Sequence, residues 1–403
     1  MKIALTCPAS LPATQFGGIM FLCIHIAKKL SNEGHDLIIY TTDLDFANNS
    51  NTFNKKLPKE EKIENFIIKR THVWFSSFLF FINLGMYKQM MKDDFDIIHT
   101  VGIRSFQAFI SAIVSKRKKI PLIISDQGGL TTHPDLKESS FKKKFLTQLQ
   151  KPLLKFIINQ SSKVIVPNDY EKDIFLQFCD KSKISVVKNG IDINELKSST
   201  VDFQQKYNIE NNFILFLGRF HKVKGIDTLL DAVNLIKDNS LLSKLKIIIL
   251  GVDFGYELKM EQKIHELKLS KNIIVIKKPP REDVISAYNQ CQFLVLPSRW
   301  ELSPLTPLEG FACNKTVIST TAHGIPYTIT HNENCLLVPP SNSRKLADAI
   351  LELLENPSKC QKLAESGFNM VNNEGNLDSM SKGIFQIYEK TIKSQKTELD
   401  EVI

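Results

Sequence analysis

The 403-residue sequence lacks most patterns that mark secreted, metal-stapled or nucleic-acid-reading proteins. Its seven cysteines, Cys7, Cys23, Cys179, Cys291, Cys313, Cys335 and Cys360, form no C-x-x-C pair. An odd, scattered set argues against a disulfide framework and a structural zinc, and fits a reducing compartment. No zinc-finger spacing, aromatic RNP motif or basic zipper accompanies the net charge of +9, so nucleic acid is not an expected partner. An anionic substrate or an anionic membrane surface is the better account of that charge. No G-x-G-x-x-G occurs, which disfavours a nicotinamide oxidoreductase. The phenylalanine-rich, uncharged run from Val73 to Tyr87 has 15 residues, too few to span a bilayer. Strand-like Lys2-Ile3-Ala4-Leu5 begins at once with no cleavage site after it, so no secretory signal and a cytoplasmic location are expected. Short-period repeats and low-complexity tracts are also missing.

What is present is an ordinary globular balance, 43% apolar and 24% charged, over a length that suits two or three domains. Strand-like apolar runs alternate with helical patterns. They are Ile3–Leu5, Leu37–Tyr40, Ile97–His99, Leu122–Ile124, Val164–Val166, Ile184–Val187, Ile214–Leu217, Ile247–Leu250, Ile273–Ile276, Phe293–Leu296 and Val317–Ile318. Continuous rather than alternating runs imply strands buried on both faces, hence α/β architecture with parallel sheets covered by helices. Eleven strands exceed one doubly wound sheet and fit two Rossmann-like domains. The turn Asn189-Gly190-Ile191-Asp192, followed by the polar stretch Lys197 to Asn212, marks the boundary. The expected domains are 1–192 and 193–376, with a last helix near Leu377 to Lys393 and a frayed tail after Ser394.

Four loops fall at the carboxyl ends of expected strands, the edge where open α/β sheets bind ligands. In Gln15-Phe16-Gly17-Gly18-Ile19 the paired glycines let backbone approach a ligand ahead of a helix N-terminus, although a plain turn has the same look. In Gly218-Arg219-Phe220-His221-Lys222-Val223-Lys224-Gly225, a guanidinium fork and an ammonium five residues apart could clamp a diphosphate. In Pro297-Ser298-Arg299-Trp300-Glu301-Leu302-Ser303-Pro304-Leu305-Thr306-Pro307-Leu308-Glu309-Gly310, two acids are separated by seven residues. Glu301 is expected on the loop and Glu309 one turn into the next helix, placed to hold vicinal hydroxyls. Pro304 removes one donor and leaves the Leu305 and Thr306 amides to meet a phosphate. The alternative is a pair of solvated acids. His323, in the fourth loop, reads as a surface residue.

Taken together these residues resemble the glycosyltransferases of family 4, with the GT-B fold of two Rossmann-like domains facing a central cleft. The resemblance runs over nearly the whole chain. It rests on Gly17-Gly18, Asp96-Ile97-Ile98-His99, Val187-Lys188-Asn189-Gly190-Ile191-Asp192, Gly218-Arg219 with Lys224-Gly225, and Pro297-Ser298 with the Glu301/Glu309 pair. It implies retaining transfer from a nucleotide-diphosphate sugar, with no cofactor and no metal. Arg219 and Lys224 match the diphosphate clamp, Glu301 the acid facing the donor sugar, and Glu309 the acid on the ribose hydroxyls. Gly17 and Gly18 match the loop that meets donor phosphates, and Lys277 and Lys278 the loop that cups the base, mostly through backbone. The sequence departs from the family pattern with Ser303-Pro304 in place of Phe-Gly, and with Val101 and Asp126 where histidines are common. His99, Asp126 and Gln127 are the expected acceptor-side residues.

The last helix is expected to pack back on the first domain. The stretch Lys137 to Lys155 interleaves six lysines with apolar residues, an amphipathic basic helix broken near Pro152 that could lie on an anionic membrane or simply present a solvated lysine face. The expected partners are therefore a nucleotide-sugar donor, a glycan or lipid-linked acceptor and an anionic membrane surface. Two other readings stay open: a GT-B-fold nucleotide-sugar epimerase or hydrolase, and a catalytically silent sugar-nucleotide-binding protein.

Overall fold

The computed structural model describes residues 1–45, 52–77, 80–126, 128, 130, 141–197, 200–243 and 245–400. The chain divides into two compact units, one formed by Met1–Asn189 with the chain from Leu377 on, the other by Gly190–Asn376. The boundary thus falls three residues before the expected one, inside the same turn.

In the first unit, β1 (Lys2–Thr6), β2 (Asp36–Thr42), β5 (Glu60–Ile63), β6 (Phe66–Thr71), β9 (Ile97–Val101), β10 (Leu122–Ser125), β11 (Lys163–Val166) and β12 (Ile184–Val186) form one sheet, in the order 12-11-10-9-1-2-6-5. All pairings are parallel except β5 with β6. Short pairs β3 (Leu44–Asp45) with β4 (Thr52–Phe53), and β7 (Phe75–Ser77) with β8 (Phe80–Ile82), lie outside it. Apolar cores cover both faces, as the continuous apolar runs require. Order reverses between β1 and β9, where the Gly17 and Gly102 loops emerge; the Ile19 side chain lies 3.7 Å from where a Gly102 Cβ would stand.

The phenylalanine-rich run holds the β7–β8 hairpin and the start of the helix Gly85–Lys92. Two expectations are corrected here. The helix Phe141–Gln160 continues through Pro152 and packs against the helix Phe106–Lys118. The last helix extends from Leu377 to Asp400, past the expected fraying point. It lies against the helix Gly18–Asn32, with Met380, Ile384 and Tyr388 in the core of the first unit.

In the second unit, β13 (Asn212–Leu217), β14 (Leu245–Gly251), β15 (Ile273–Lys277), β16 (Leu294–Val295), β17 (Val317–Thr320) and β18 (Cys335–Val338) form a fully parallel sheet in the order 15-14-13-16-17-18. Fully buried Ile214, Phe216 and Ile249 face one apolar core and Phe213, Leu215 and Ile248 the other. Each such side chain contributes about 1.5–3 kcal/mol of burial. Order reverses between β13 and β16. The loops that follow these two strands carry the cationic and the acidic motifs. Among the described residues no helix is long and apolar enough to cross a membrane.

Candidate functional site

In the second unit the candidate residues lie at the crevice of the β13/β16 reversal. After β13 the chain makes a single turn at Lys222–Lys224, capped by His221, whose Nδ1 accepts from the Val223 amide. It then passes through Gly225 at φ +69° into the helix Ile226–Ile236. A Cβ on Gly225 would stand 2.0 Å from the Pro297 carbonyl oxygen. Only glycine combines that left-handed backbone with so close an approach. The loop after β16 is thereby pressed against the loop after β13.

Arg299 stitches the two loops. Its amide donates to the Val223 carbonyl at 2.7 Å, and its Nη1 to the Lys222 carbonyl at 2.8 Å. Its Nη2 donates to Asp227 at 2.7 Å and Thr228 at 2.9 Å, and its Nε to Ser341 at 2.8 Å. Across this seam Lys224 donates to Glu301 Oε1, and both side chains are 18% exposed. The Ser298 hydroxyl also donates to Glu301 Oε1, at 3.3 Å. Arg219 follows β13 after Gly218, its guanidinium 5.0 Å from the Phe254 ring centroid. Its surface is in part exposed; desolvation by the surrounding protein pushes its pKa down, and the charge of Glu301 opposes that shift. Arg219, Lys224 and Glu301 are thus brought together at one sheet edge.

The helix Leu305–Ala312 starts after Pro304 with no side-chain cap. Its first amides, Leu305 and Thr306, have no intrahelical acceptor, so the helix end offers donors and a positive dipole to an anion. Gly310 in that helix lets it settle on β16: a Cβ there would lie 2.9 Å from Leu294. Glu309, 15% exposed, is held at both oxygens. Arg281 Nη2 donates to Oε1 at 2.8 Å and the Tyr288 hydroxyl donates to Oε2 at 2.6 Å.

Gly218 lies where the sequence expected, its carbonyl oxygen 1.9 Å from where a Gly251 Cβ would be. Lys277 does not face a ligand pocket with its side chain. Its ammonium is held by Glu257 at 2.6 Å and Glu261 at 2.7 Å. Lys278 has left-handed backbone at φ +50°, and its amide donates to the Gly251 carbonyl at 2.8 Å.

In the first unit Gly17, at φ +96°, precedes the helix Gly18–Asn32, and no neighbour crowds its Cβ direction. His99 is a correction to the acceptor-side expectation. It is fully buried, with Nδ1 paired to the Tyr388 hydroxyl at 2.5 Å and Nε2 to Ser125 Oγ at 2.7 Å. Burial lowers its pKa to about 3, so it is a neutral tie between the sheet and the last helix. Asp126, at the end of β10, is buried and its Oδ2 accepts from the Leu130 amide at 3.1 Å. Gln127 lies outside the described residues.

Beside Asp126 stands a residue the sequence reading missed, Glu171, 1% exposed in the helix after β11. Burial and then the charge of Asp126 push its pKa well up. Arg104, just after β9, also senses Asp126. Three adjacent strand ends therefore place a basic and two acidic groups together. Also missed were Arg281 and Arg299. Each sits inside or beside a motif already singled out, but its partners lie on helices and loops distant in the sequence.

Two family models match the chain, one described as Glycosyltransferase Family 4 over residues 16–195 and one as Glycosyl transferases group 1 over residues 199–370. An uncharacterized glycosyltransferase of Methanocaldococcus jannaschii is 28% identical over 272 residues, covering 66% of this chain and 67% of that one. An Escherichia coli protein named UDP-Gal:alpha-D-GlcNAc-diphosphoundecaprenol alpha-1,3-galactosyltransferase is 24% identical over 63% of each chain, so the match spans less than two thirds of its length. The fold of Anabaena HepE, solved with UDP and glucose, superposes with a TM-score of 0.75 at 20% identity, covering 96% of this chain and 99% of that one. The two α/β units are those of a GT-B protein. The chain belongs to the family 4 glycosyltransferases.

Proposed function

We propose that the protein transfers a hexose from a nucleoside-diphosphate sugar to a hydroxyl acceptor, with retention of anomeric configuration and without a resident metal. The observation that carries this reading is the Lys224–Glu301 pair across the β13/β16 reversal, with Arg219 beside it. Breaking a glycosyl–phosphate bond leaves negative charge on the diphosphate and positive charge on the sugar ring. Arg219, Lys224 and the amides of Leu305 and Thr306 are suited to the first, and stabilising the leaving group is the largest catalytic effect available here. Glu301 is suited to orienting the sugar. Lys224 has three donors, so its bond to Glu301 leaves two for phosphate oxygens. Among the described residues of this crevice no side chain is an obvious nucleophile, and in this reading the departing phosphate takes the acceptor proton. Glu309 keeps lone pairs beyond those used by Arg281 and Tyr288, enough to accept from ribose hydroxyls.

For the acceptor we propose a glycan or a lipid-linked sugar met at an anionic membrane face. The acceptor named for the Escherichia coli relative supports that class. So do the net charge of +9 and the exposed Trp74, Phe75 and Leu84 in and beside the β7–β8 hairpin. The lysine stretch 137–155 is in part outside the described residues.

The test is a thermal-shift screen of nucleoside diphosphates and their sugars, followed by a product assay on the best donor. Stabilisation by one base class and an α-product from an α-donor are expected. Free sugar released without acceptor would mark a hydrolase or epimerase, and binding without turnover a silent protein. Flotation with anionic vesicles checks the membrane component; recovery in the protein-only fraction would remove it.

A further inference from the structure

Glu309 is the one acid of the pair whose two carboxylate oxygens are both engaged by named donors, and those donors lie on another helix. Arg281 is the first residue and Tyr288 the eighth of the helix Arg281–Gln290, two turns apart. The second-turn face of that helix is buried: Tyr288 has no exposed surface, and its hydroxyl points at Glu309 Oε2. Burial and the neighbouring Glu309 push the Tyr288 pKa well up, so it remains a donor throughout the working pH range. Arg281 is held from its other side. Its Nε and Nη2 donate to the two oxygens of Glu195 at 3.0 and 3.2 Å. Glu195 lies in the short helix Ile193–Leu196, three residues after the turn where the second unit begins. The guanidinium therefore bridges two carboxylates, one near the ligand edge and one on the segment that enters the unit. A bidentate fork fixes a partner's direction as well as its distance.

We propose that Arg281 and Tyr288 are positioning residues that aim Glu309 at the nucleotide ribose, and that Glu195 acts through Arg281 to hold that aim. This rests on the reading of Glu309 as the ribose-binding acid. Neither Arg281 nor Tyr288 needs to touch the donor for the effect. A carboxylate free to rotate would lose the directed lone pairs that two vicinal hydroxyls require. The chemistry at the sugar, handled by Arg219, Lys224 and Glu301, would be unchanged. Removal of the clamp is therefore expected in donor affinity, not in turnover at saturating donor.

The experiment uses the full chain and two probes, uridine diphosphate and its 2′,3′-dideoxy analogue, with the guanosine and adenosine pairs in parallel. The preference for ribose over dideoxyribose is measured by calorimetry for the native protein and for Glu309→Gln, Tyr288→Phe and Glu195→Gln. A native preference of about tenfold or more is expected, collapsing toward unity in Glu309→Gln. Tyr288→Phe and Glu195→Gln are expected to shrink it by about threefold or more, with kcat at saturating donor within about twofold of native. Glu195→Gln is on a partly exposed residue, so it reports even where Tyr288→Phe fails to fold. Should Glu309→Gln erase the preference while Glu195→Gln and Tyr288→Phe leave it intact, the positioning role is wrong and the ribose reading stands. Should the native protein show no preference, or Glu309→Gln keep it, the ribose reading itself fails and the clamp falls with it.

Discussion

Lys224 and Glu301 are joined by a hydrogen-bonded ion pair although 77 residues separate them in the chain. They meet because β13 and β16 are neighbours in the sheet while the connections from each run opposite ways. The two loops are left facing one another over the gap, and a cation and an acid fill it.

Replacing Lys224 by Ala removes that cation without disturbing a core. The expected result is a loss of about 10²–10³ in kcat with little change in denaturant midpoint. Steady-state kinetics beside a urea titration measures both. Equal losses in activity and stability would make Lys224 a structural strut.

Gly225→Ala attacks the same seam through the backbone. The new Cβ would stand 2.0 Å from the Pro297 carbonyl oxygen at a φ of +69°. The left-handed backbone alone costs about 1–2 kcal/mol, and relieving the clash must move the Pro297–Glu301 loop away from Lys224. A lower thermal midpoint together with reduced diphosphate affinity is expected. An unchanged affinity at lower midpoint would mean the seam does not shape the binding edge.

Tyr388→Phe leaves the buried ring of His99 with one partner fewer. A stability loss of about 1–3 kcal/mol is expected, with diphosphate affinity unaltered. The folded protein keeps His99 neutral down to about pH 3, whereas the unfolded ring takes a proton near 6.5. Its contribution is therefore complete above 6.5 and declines as pH falls through that window. Denaturation curves at several pH values, native against His99→Gln, isolate this slope.

Glu171 predicts the opposite slope. Its folded pKa is raised above the ordinary 4.5 by burial and by Asp126, so the folded chain holds a proton that the unfolded chain has released. The protonated acid's contribution is full below about 4.5 and is lost as pH rises through the folded value, at up to about 1.4 kcal/mol per pH unit. Glu171→Gln is expected to flatten the fall of stability with pH above about 4.5 relative to native. Parallel slopes in the two proteins would show that Glu171 is ionised in the fold.

The sequence by itself determined the fold class, the two-unit division to within three residues, and the position of the candidate loops at the ends of strands. Those features are local: continuous apolar runs report strands buried on both faces, and turn residues mark where each strand ends. Strands β5 and β6 escaped notice because lysines, glutamates and an arginine interrupt their apolar pattern at the sheet edge. The phenylalanine-rich run escaped as a hairpin because short apolar stretches look alike in helix and strand. Only the tertiary structure decided the side-chain partners. Strand order set Lys224 against Glu301, gave Arg299 and Arg281 their carboxylates, and tied His99, expected on the acceptor side, to Tyr388 in the core. Such pairings depend on which strands become neighbours, and that follows from the whole chain's packing, which no local window contains.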